Sequence, residues 1–392
     1  MKRILVIPSW YPPDGGQFFQ DQAEALEERG FRVDLLVNRM VGLTKLRFSE
    51  RSTLRRFSVS FVNNTRVVRS FYLKVPRLEL WNVKRGSIST RRLFRKYVKR
   101  FGLPDLIIAH SSMWAGYFAA QIWDRWKIPY LVVEHRSRFT LSESEQGELL
   151  QQRYTPFLRR AFMGAERVIT VSEALQPSVL NYMDDEEKLM VISNQVDTSF
   201  FTPGTFIPGR EEPEEFRILS VGRLERDKGM DLLIEAFSKL AGDDNHLSLT
   251  IVGSGPELKS LRSQVAELGL NGRVTFTGKK SPAELLKEMQ RASLFALASR
   301  MEAFGVVFVE AMAVGLPIVA TRAGGPEKII PGFAGEMVEK EDVTALSHAI
   351  RKVCREIERY DAEQIRTYAI ENFSREVISR RYAALIAQLF DD

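Results

Sequence analysis

Two glutamates bracket the run Glu302-Ala-Phe-Gly-Val-Val-Phe-Val-Glu310. A helix that begins near Gly305 exposes its first backbone N–H groups and the positive end of its dipole, which together attract an anion. Glu310 then falls about two turns into an otherwise apolar helix. A carboxylate in such surroundings needs a partner, and the two hydroxyls of a ribose are suitable ones. Glu302 precedes the helix and can reach a sugar hydroxyl at a cleft. Earlier in the chain, Val221-Gly222-Arg223-Leu224 is followed by Lys228-Gly229. Arg offers a bidentate fork to phosphate and Lys a mobile point charge.

A second set of candidates lies in the first half. Pro12-Pro13-Asp14-Gly15-Gly16 joins an apolar run to an amphipathic one, and glycines there let backbone approach phosphate closely. His110 follows the apolar residues 106–109, and Glu134-His135 follow 130–133 in the same way. The chain has four histidines in all, so two at equivalent places stand out; His246 and His348 sit in polar surroundings and receive no role. No G-x-G-x-x-G is present, which counts against a dinucleotide oxidoreductase. No Asp-x-Asp is present either, and Asp184-Asp185 lies in an acidic run that reads as a solvated loop.

The elements that must position these residues alternate along the chain. Short apolar runs at 4–7, 33–37, 106–109, 130–133 and 168–171 read as buried strands separated by helical stretches, the first at 18–29 and stopped by Gly30. Residues 203–215 are rich in Pro, Gly and Glu and read as a linker. A second series of strands follows at 217–221, 249–252, 274–277, 294–297 and 318–320. Its helices fall at 230–240, 256–268, 282–292 and 304–314, and a last amphipathic helix covers 375–390. Alternation of this kind predicts an α/β protein with two doubly wound, Rossmann-like domains facing a central cleft. The expected division is 1–202, a linker at 203–216, a second domain at 217–372 and a C-terminal helix at 373–392.

Glu302 to Glu310 resembles the E-x7-E element of family 4 retaining glycosyltransferases, whose fold is the two-domain GT-B. Further likenesses occur in the family's order: Val221-Gly222-Arg223 with Lys228-Gly229, Val252-Gly253-Ser254-Gly255-Pro256, Val274-Thr275-Phe276-Thr277-Gly278, and Ala323-Gly324-Gly325-Pro326-Glu327. The resemblance is dense over the second half and sparser over the first. It implies that Arg223 and Lys228 hold a donor diphosphate, that Glu310 binds the ribose, and that Glu302 binds the transferred sugar. Ala303, Phe304 and Gly305 would belong to the same donor site, with backbone N–H groups of Phe304 and Gly305 offered to sugar or phosphate. Phe276, Thr277 and Gly278 would lie near the base, and Gly253 would line the nucleotide pocket. Gly15 and Gly16 would approach the diphosphate and acceptor. His110 would face the transferred sugar as a catalytic residue beside Arg223, Lys228 and Glu302, with Glu134 and His135 on the acceptor side. Asn194 matches the family's Asn-Gly-Val-Asp turn, with Gln195 in place of the glycine. The last helix would cross back onto the first domain.

Composition narrows the rest. The single cysteine, Cys354, rules out a disulfide framework and suits a reducing compartment. The apolar run after Met1 is too short for a secretory signal, and no apolar stretch is long enough to span a bilayer. The net charge of +6 conceals an asymmetry: residues 41–100 hold seventeen Lys and Arg against Glu50 and Glu79, a net +15, which leaves the remainder at −9. Aromatic and leucine side chains interleave with these cations. Such a segment suits an anionic membrane surface or an acidic acceptor, or else a solvated helix face with loops; nucleic acid is not expected.

The reading is therefore a retaining, metal-independent transferase that needs no cofactor. It would move a sugar from a UDP- or GDP-linked donor to a glycan, lipid-linked or small-molecule acceptor in cell-surface polysaccharide or glycolipid synthesis. Its expected location is cytoplasmic, peripheral at the inner face of the membrane. A GT-B nucleotide-sugar epimerase and a non-catalytic binder of nucleotide sugars or anionic polymers are the alternatives.

Overall fold

A computed structural model describes residues 1–12, 16–42, 57–140, 152–204, 216–242 and 246–391. Buried apolar runs, β-branched and too short for helices, form the strands of two sheets.

In the first half the described elements are β1 (Arg3–Pro8), α1 (Gln17–Glu28), β2 (Arg32–Gly42), β3 (Ser58–Val62), β4 (Thr65–Lys74), α2 (Glu79–Phe101) and β5 (Leu106–His110). They continue with α3 (Tyr117–Trp126), β6 (Tyr130–Glu134), α4 (Thr155–Met163), β7 (Arg167–Thr170), α5 (Gln176–Leu180) and β8 (Leu189–Val191). The sheet order is β3-β4-β2-β1-β5-β6-β7-β8, parallel except where edge strand β3 runs antiparallel to β4. Ile4, Leu5 and Val6 of β1 and Leu106 to Ala109 of β5 are wholly buried, as central parallel strands covered on both faces must be.

The second half contributes β9 (Phe216–Val221), α6 (Met230–Ala241), β10 (Leu247–Val252), α7 (Leu258–Glu267), β11 (Val274–Gly278), α8 (Pro282–Arg291) and β12 (Leu294–Leu297). After these come α9 (Val306–Val314), β13 (Ile318–Thr321), α10 (Pro326–Ile329), β14 (Gly335–Val338), α11 (Val343–Arg355), α12 (Ala362–Phe373) and α13 (Arg375–Asp391). All six strands are parallel, in the order β11-β10-β9-β12-β13-β14. Local signals mark the helix starts: at α8, Ser281 and Glu284 form a reciprocal capping box followed by Pro282.

The chain passes between the sheets twice, and the two crossings touch. Val196 N–H donates to Phe373 O at 2.9 Å, and the Arg366 guanidinium donates to Thr198 O at 3.1 Å and Phe201 O at 2.8 Å. Helix α13 then lies against α1 of the first half, where Arg29 pairs with Glu376 at 2.5 Å and Arg375 with Glu28 at 2.7 Å. Most of the expected linker, 205–215, falls outside the described residues, and β9 takes up the chain at Phe216.

The described part of the basic segment differs from a helix face with loops. It holds the hairpin β3–β4 as well as α2, with Asn63 at the turn in a left-handed conformation, φ 49°. Arginines interrupt the Val and Phe alternation of β4, which hides a strand that β2 pairs along one edge and α2 covers on one face. Residues 43–56 lie outside the described residues.

Candidate functional site

Strands β9, β10 and β11 end side by side. Gly222 N–H donates to Val252 O and Gly253 N–H to Gly278 O, both at 3.0 Å. Gly253 has φ 153°, and a Cβ on it would lie 1.8 Å from Gly222 O. The lack of a side chain there lets two strand ends close on one another. Phe276 is half-buried and borders a cavity of ≈ 410 Å³ that Arg262 and Val265 of the α7 side also line; Thr277 and Gly278 finish the edge strand.

From this edge two cations reach outward. Arg223, 67% exposed, forks onto Glu225, with both of its nitrogens 3.1 Å from a carboxylate oxygen. An exposed pair of this sort contributes little and opens readily to a phosphate. Lys228 ends the single turn Arg226–Lys228, and its Nζ lies 2.6 Å from Glu302 Oε2, the two side chains only 14% and 13% exposed. Glu302 is held by its backbone as well: its N–H donates to Ala323 O at 2.9 Å, and its carbonyl accepts from Gly325 at 2.7 Å. Arg300, which the sequence reading passed over, locks the same loops. It forks onto Asp231 at 2.8 Å and reaches Glu341 at 2.6 Å, and those carboxylates hold its basicity above the ordinary arginine range.

Gly305 precedes α9 with φ 87°; a Cβ there would sit 2.4 Å from the Phe308 ring and 3.3 Å from Glu302 Cγ. Phe308 N–H bonds back to Gly305 O at 2.9 Å, so the first-turn N–H groups before it have no intrahelical acceptor. Phe304 turns its ring into the core, edge-on to Phe373 at 5.7 Å, so only its backbone is offered to a ligand. Glu310 stands half-buried among Phe308, Val309 and Ala311, with no hydrogen bond or ion pair to a described residue. Desolvation pushes its carboxyl up to about 7.

On the other side, Gly16 caps α1 with φ 84°, while Gly15 lies outside the described residues. His110 Nδ1 and His135 Nε2 meet at 2.9 Å. Phe19 packs 4.4 Å from the His110 ring and Phe18 5.2 Å from that of His135. Burial drives both rings toward the neutral form, His110 well below and His135 down to about 3, an effect the neighbouring Asn194 opposes only in part. The two histidines, Gln22 and residues 193–195 surround a cavity of ≈ 10 Å³, room for one water. Its lining residues carry four buried polar atoms with no hydrogen-bond partner among the described residues: His110 Nε2, His135 Nδ1, Gln22 Oε1 and Gln195 Oε1.

Two of the expected site residues are buried. His110, expected to face the transferred sugar as a catalytic group, is 1% exposed beneath the aromatic face of α1. Glu134 was expected on the acceptor side; it is fully buried and spends its carboxylate on five hydrogen bonds. These come from the Ser111 hydroxyl, the Ser112 N–H and hydroxyl, and the N–H groups of His135 and Arg136. It ties the loop after β5 to the loop after β6, and Arg136, bound to Ser111 Oγ at 2.7 Å, completes the knot.

The two halves meet at the Glu302 loop. Ser172 Oγ, just beyond β7, donates to Ala303 O at 2.6 Å, and Lys328 pairs with Glu173 at 3.0 Å. Thr140 lies against Gly324, beside the backbone of Glu302. Hydroxyl residues in loops gave no sequence signal for this contact. Among the described residues, no group of three or more His, Cys, Asp or Glu could hold a metal ion, and no helix is long and apolar enough to cross a membrane.

Comparison with known proteins extends these findings. Residues 15–200 match the family described as Glycosyltransferase Family 4, and residues 206–371 the family described as Glycosyl transferases group 1. A D-inositol 3-phosphate glycosyltransferase of Corynebacterium efficiens is 30% identical over 272 residues, 63% of this chain and 62% of that protein. A GDP-mannose-dependent alpha-(1-6)-phosphatidylinositol monomannoside mannosyltransferase of Mycolicibacterium smegmatis is 29% identical over 59% of this chain and 64% of its own. The chain thus spans somewhat under two thirds of the length of these relatives. Among solved structures, sucrose-phosphate synthase of Thermosynechococcus elongatus superimposes with a TM-score of 0.81 at 22% identity, covering 100% of both chains. The Anabaena protein HepE in complex with UDP gives 0.73 at 22% identity, over 99% of this chain and 100% of its own. Both share the GT-B fold.

Proposed function

The chain belongs to the group 1, family 4 glycosyltransferases, and from that premise we propose that it moves a sugar from a nucleotide diphosphate donor to a hydroxyl acceptor. The observation that carries this reading is the ion pair of Lys228 and Glu302 beside the open N-terminus of α9, with Glu310, which has no partner among the described residues, five residues beyond Gly305. Arg223, Lys228 and the first-turn N–H groups of α9 would take the diphosphate. Glu310 would accept from the ribose hydroxyls, and Glu302 would orient the transferred sugar. As the bond from the anomeric carbon to the phosphate oxygen breaks, negative charge grows on the departing diphosphate. Those cations and N–H dipoles would meet it, which supports a metal-independent reaction without a cofactor.

Retention of configuration is supported by the family resemblance. In front-face attack the acceptor oxygen bonds to the anomeric carbon on the side the diphosphate leaves, and the acceptor proton passes to the departing phosphate oxygen. Isolation of a covalent glycosyl-enzyme on a residue of this chain would overturn that mechanism. Relatives supply candidates for both substrates: one is named for GDP-mannose, and a structural neighbour carries UDP. The relatives' named acceptors, an inositol phosphate and a phosphatidylinositol mannoside, are both anionic. An anionic, lipid-linked or glycan acceptor at the inner face of a membrane suits the basic surface of the first half.

Thermal-shift measurement with a panel of nucleoside diphosphates and nucleotide sugars tests the reading. One nucleotide should raise the melting temperature in proportion to the logarithm of its concentration. No shift with any of them would sink the donor assignment.

A further inference from the structure

Helix α2 carries eight Lys and Arg and a single acid, Glu79, over its 23 residues. Its apolar face, with Val83, Leu93, Phe94 and Tyr97, is spent on the sheet. Between the side of the helix and the C-terminal part of β4 lies a cavity of ≈ 780 Å³. Arg85, Arg92, Arg95 and Lys96 line it, with Phe71 and Tyr72, and no acidic side chain of a described residue does. None of these four cations makes a hydrogen bond or ion pair with a described residue. Arg85 only stacks on Trp81 at 4.6 Å, and Lys96 lies 5.4 Å from the Phe57 ring.

Elsewhere the same fold does pair its arginines, as Arg66 with Asp34 at 3.0 Å and Arg300 with Asp231 at 2.8 Å. Four like charges around one cavity repel each other until an anion enters, and guanidinium forks match phosphate oxygens two at a time. The neighbouring surface is apolar. Leu78, just before the same helix, and Leu80, Trp81 and Ile88 in its first half are 52%, 47%, 47% and 37% exposed. A soluble anion explains the cations but not these four side chains. An anionic lipid surface explains both, since phosphate headgroups meet the cations while Trp and Leu enter the interface.

The geometry points to the α2–β4 groove as a docking site for the phosphate headgroups of an anionic membrane, separate from the donor site at α9. It does not depend on the donor assignment and can fail without it. A basic residue close to an anionic leaflet strengthens partitioning about fivefold.

The test is flotation of the full chain with phosphatidylcholine vesicles, with and without phosphatidylglycerol, at several salt concentrations. Protein should float only with the anionic vesicles and be released by salt. Arg92→Gln with Arg95→Gln, both exposed and without an ion-pair partner among the described residues, should lower partitioning about thirtyfold while leaving any nucleotide-induced thermal shift as in the parent protein. Trp81→Ala should weaken the same binding without altering its salt dependence. In a competition arm, inorganic phosphate should displace the protein no better than a chloride salt of equal ionic strength. Equal flotation with both vesicle types, or undiminished flotation of the double variant, would overturn the proposal. Displacement by millimolar phosphate would make the groove a soluble-anion site, and displacement by duplex DNA a nucleic-acid surface; either overturns it as well.

Discussion

The ammonium of Lys228 and the carboxylate of Glu302, 2.6 Å apart and largely shielded from water, join the turn after β9 to the loop before α9. Each is the other's only described partner, so removing one leaves a poorly solvated charge. Lys228→Ala should destabilise the ligand-free protein by about 1–3 kcal/mol. It should also reduce turnover by about a hundredfold or more, because a group aimed at the developing charge is gone. Glu302→Gln should lose turnover while largely keeping nucleoside diphosphate binding, since in the proposed site it touches the sugar and not the phosphates. Calorimetric titration beside initial-rate measurement separates the two. Equal loss of nucleotide affinity in both variants would contradict the division of roles.

Glu310 yields a prediction whose sign follows from its carboxyl, which rises from the ordinary 4.5 to about 7 in the folded chain. The folded state therefore holds a proton that the unfolded chain releases above 4.5, so stability falls as pH rises from 4.5 and the full penalty is present above about 7. Glu310→Gln should melt at a higher temperature than the parent protein on the alkaline side, with the difference vanishing in acid. The same variant should bind nucleoside diphosphate about tenfold or more weakly, having lost a charged acceptor for the ribose. A variant no more stable at alkaline pH, or one with unchanged affinity, would remove Glu310 from this role.

What the sequence made legible follows from how locally each feature is encoded. The central strands could be read because burial on both faces demands unbroken apolar runs, as at Ile4–Ile7 and 106–109. The helix start at Gly305 could be read because an apolar run of helical length begins just after a glycine, a residue tolerated at the N-cap. Strand β4 could not, because its arginines point where a neighbouring strand and helix decide burial. The burial of Glu134 and His110 could not be read for a related reason. The end of a parallel strand places a side chain near the cleft, but whether it faces the cleft or the next loop depends on Ser111, Ser112 and Phe19. Arg300 and Ser172 were missed because their partners, Asp231 and Ala303, are far away in sequence.

Gly305 and Gly269 form a controlled pair. Both have positive φ, 87° and 67°, but a Cβ on Gly305 would meet Phe308 at 2.4 Å, whereas one on Gly269, just after α7, would meet nothing within 4 Å. Gly269→Ala should cost only the left-handed backbone penalty, about 1–2 kcal/mol. Gly305→Ala adds a clash with a buried ring and displaces the first turn of α9, so its destabilisation should exceed that of Gly269→Ala. It should also abolish nucleotide-induced stabilisation. Melting curves of both variants with and without the nucleotide are sufficient, and equal behaviour of the two would show that the α9 N-terminus is not where the diphosphate lies.

The pair of His110 and His135 predicts acid sensitivity. In the unfolded chain each imidazole titrates near 6.5, whereas burial holds His135 down to about 3 and His110 well below its ordinary value. Below 6.5 the unfolded state therefore takes up two protons that the folded state refuses, and stability is lost as pH falls. With both histidines contributing, the slope should approach about 2.7 kcal/mol per pH unit. His135→Gln keeps a side-chain amide beside His110 and removes one of the two protons, so the contribution of this pair to the slope should halve. Denaturant unfolding of parent and variant at a series of pH values from neutral downward reads this directly. Identical slopes would mean that the imidazoles are protonated in the folded chain, and that the water-sized cavity they share with Gln22 and Gln195 stabilises their charge.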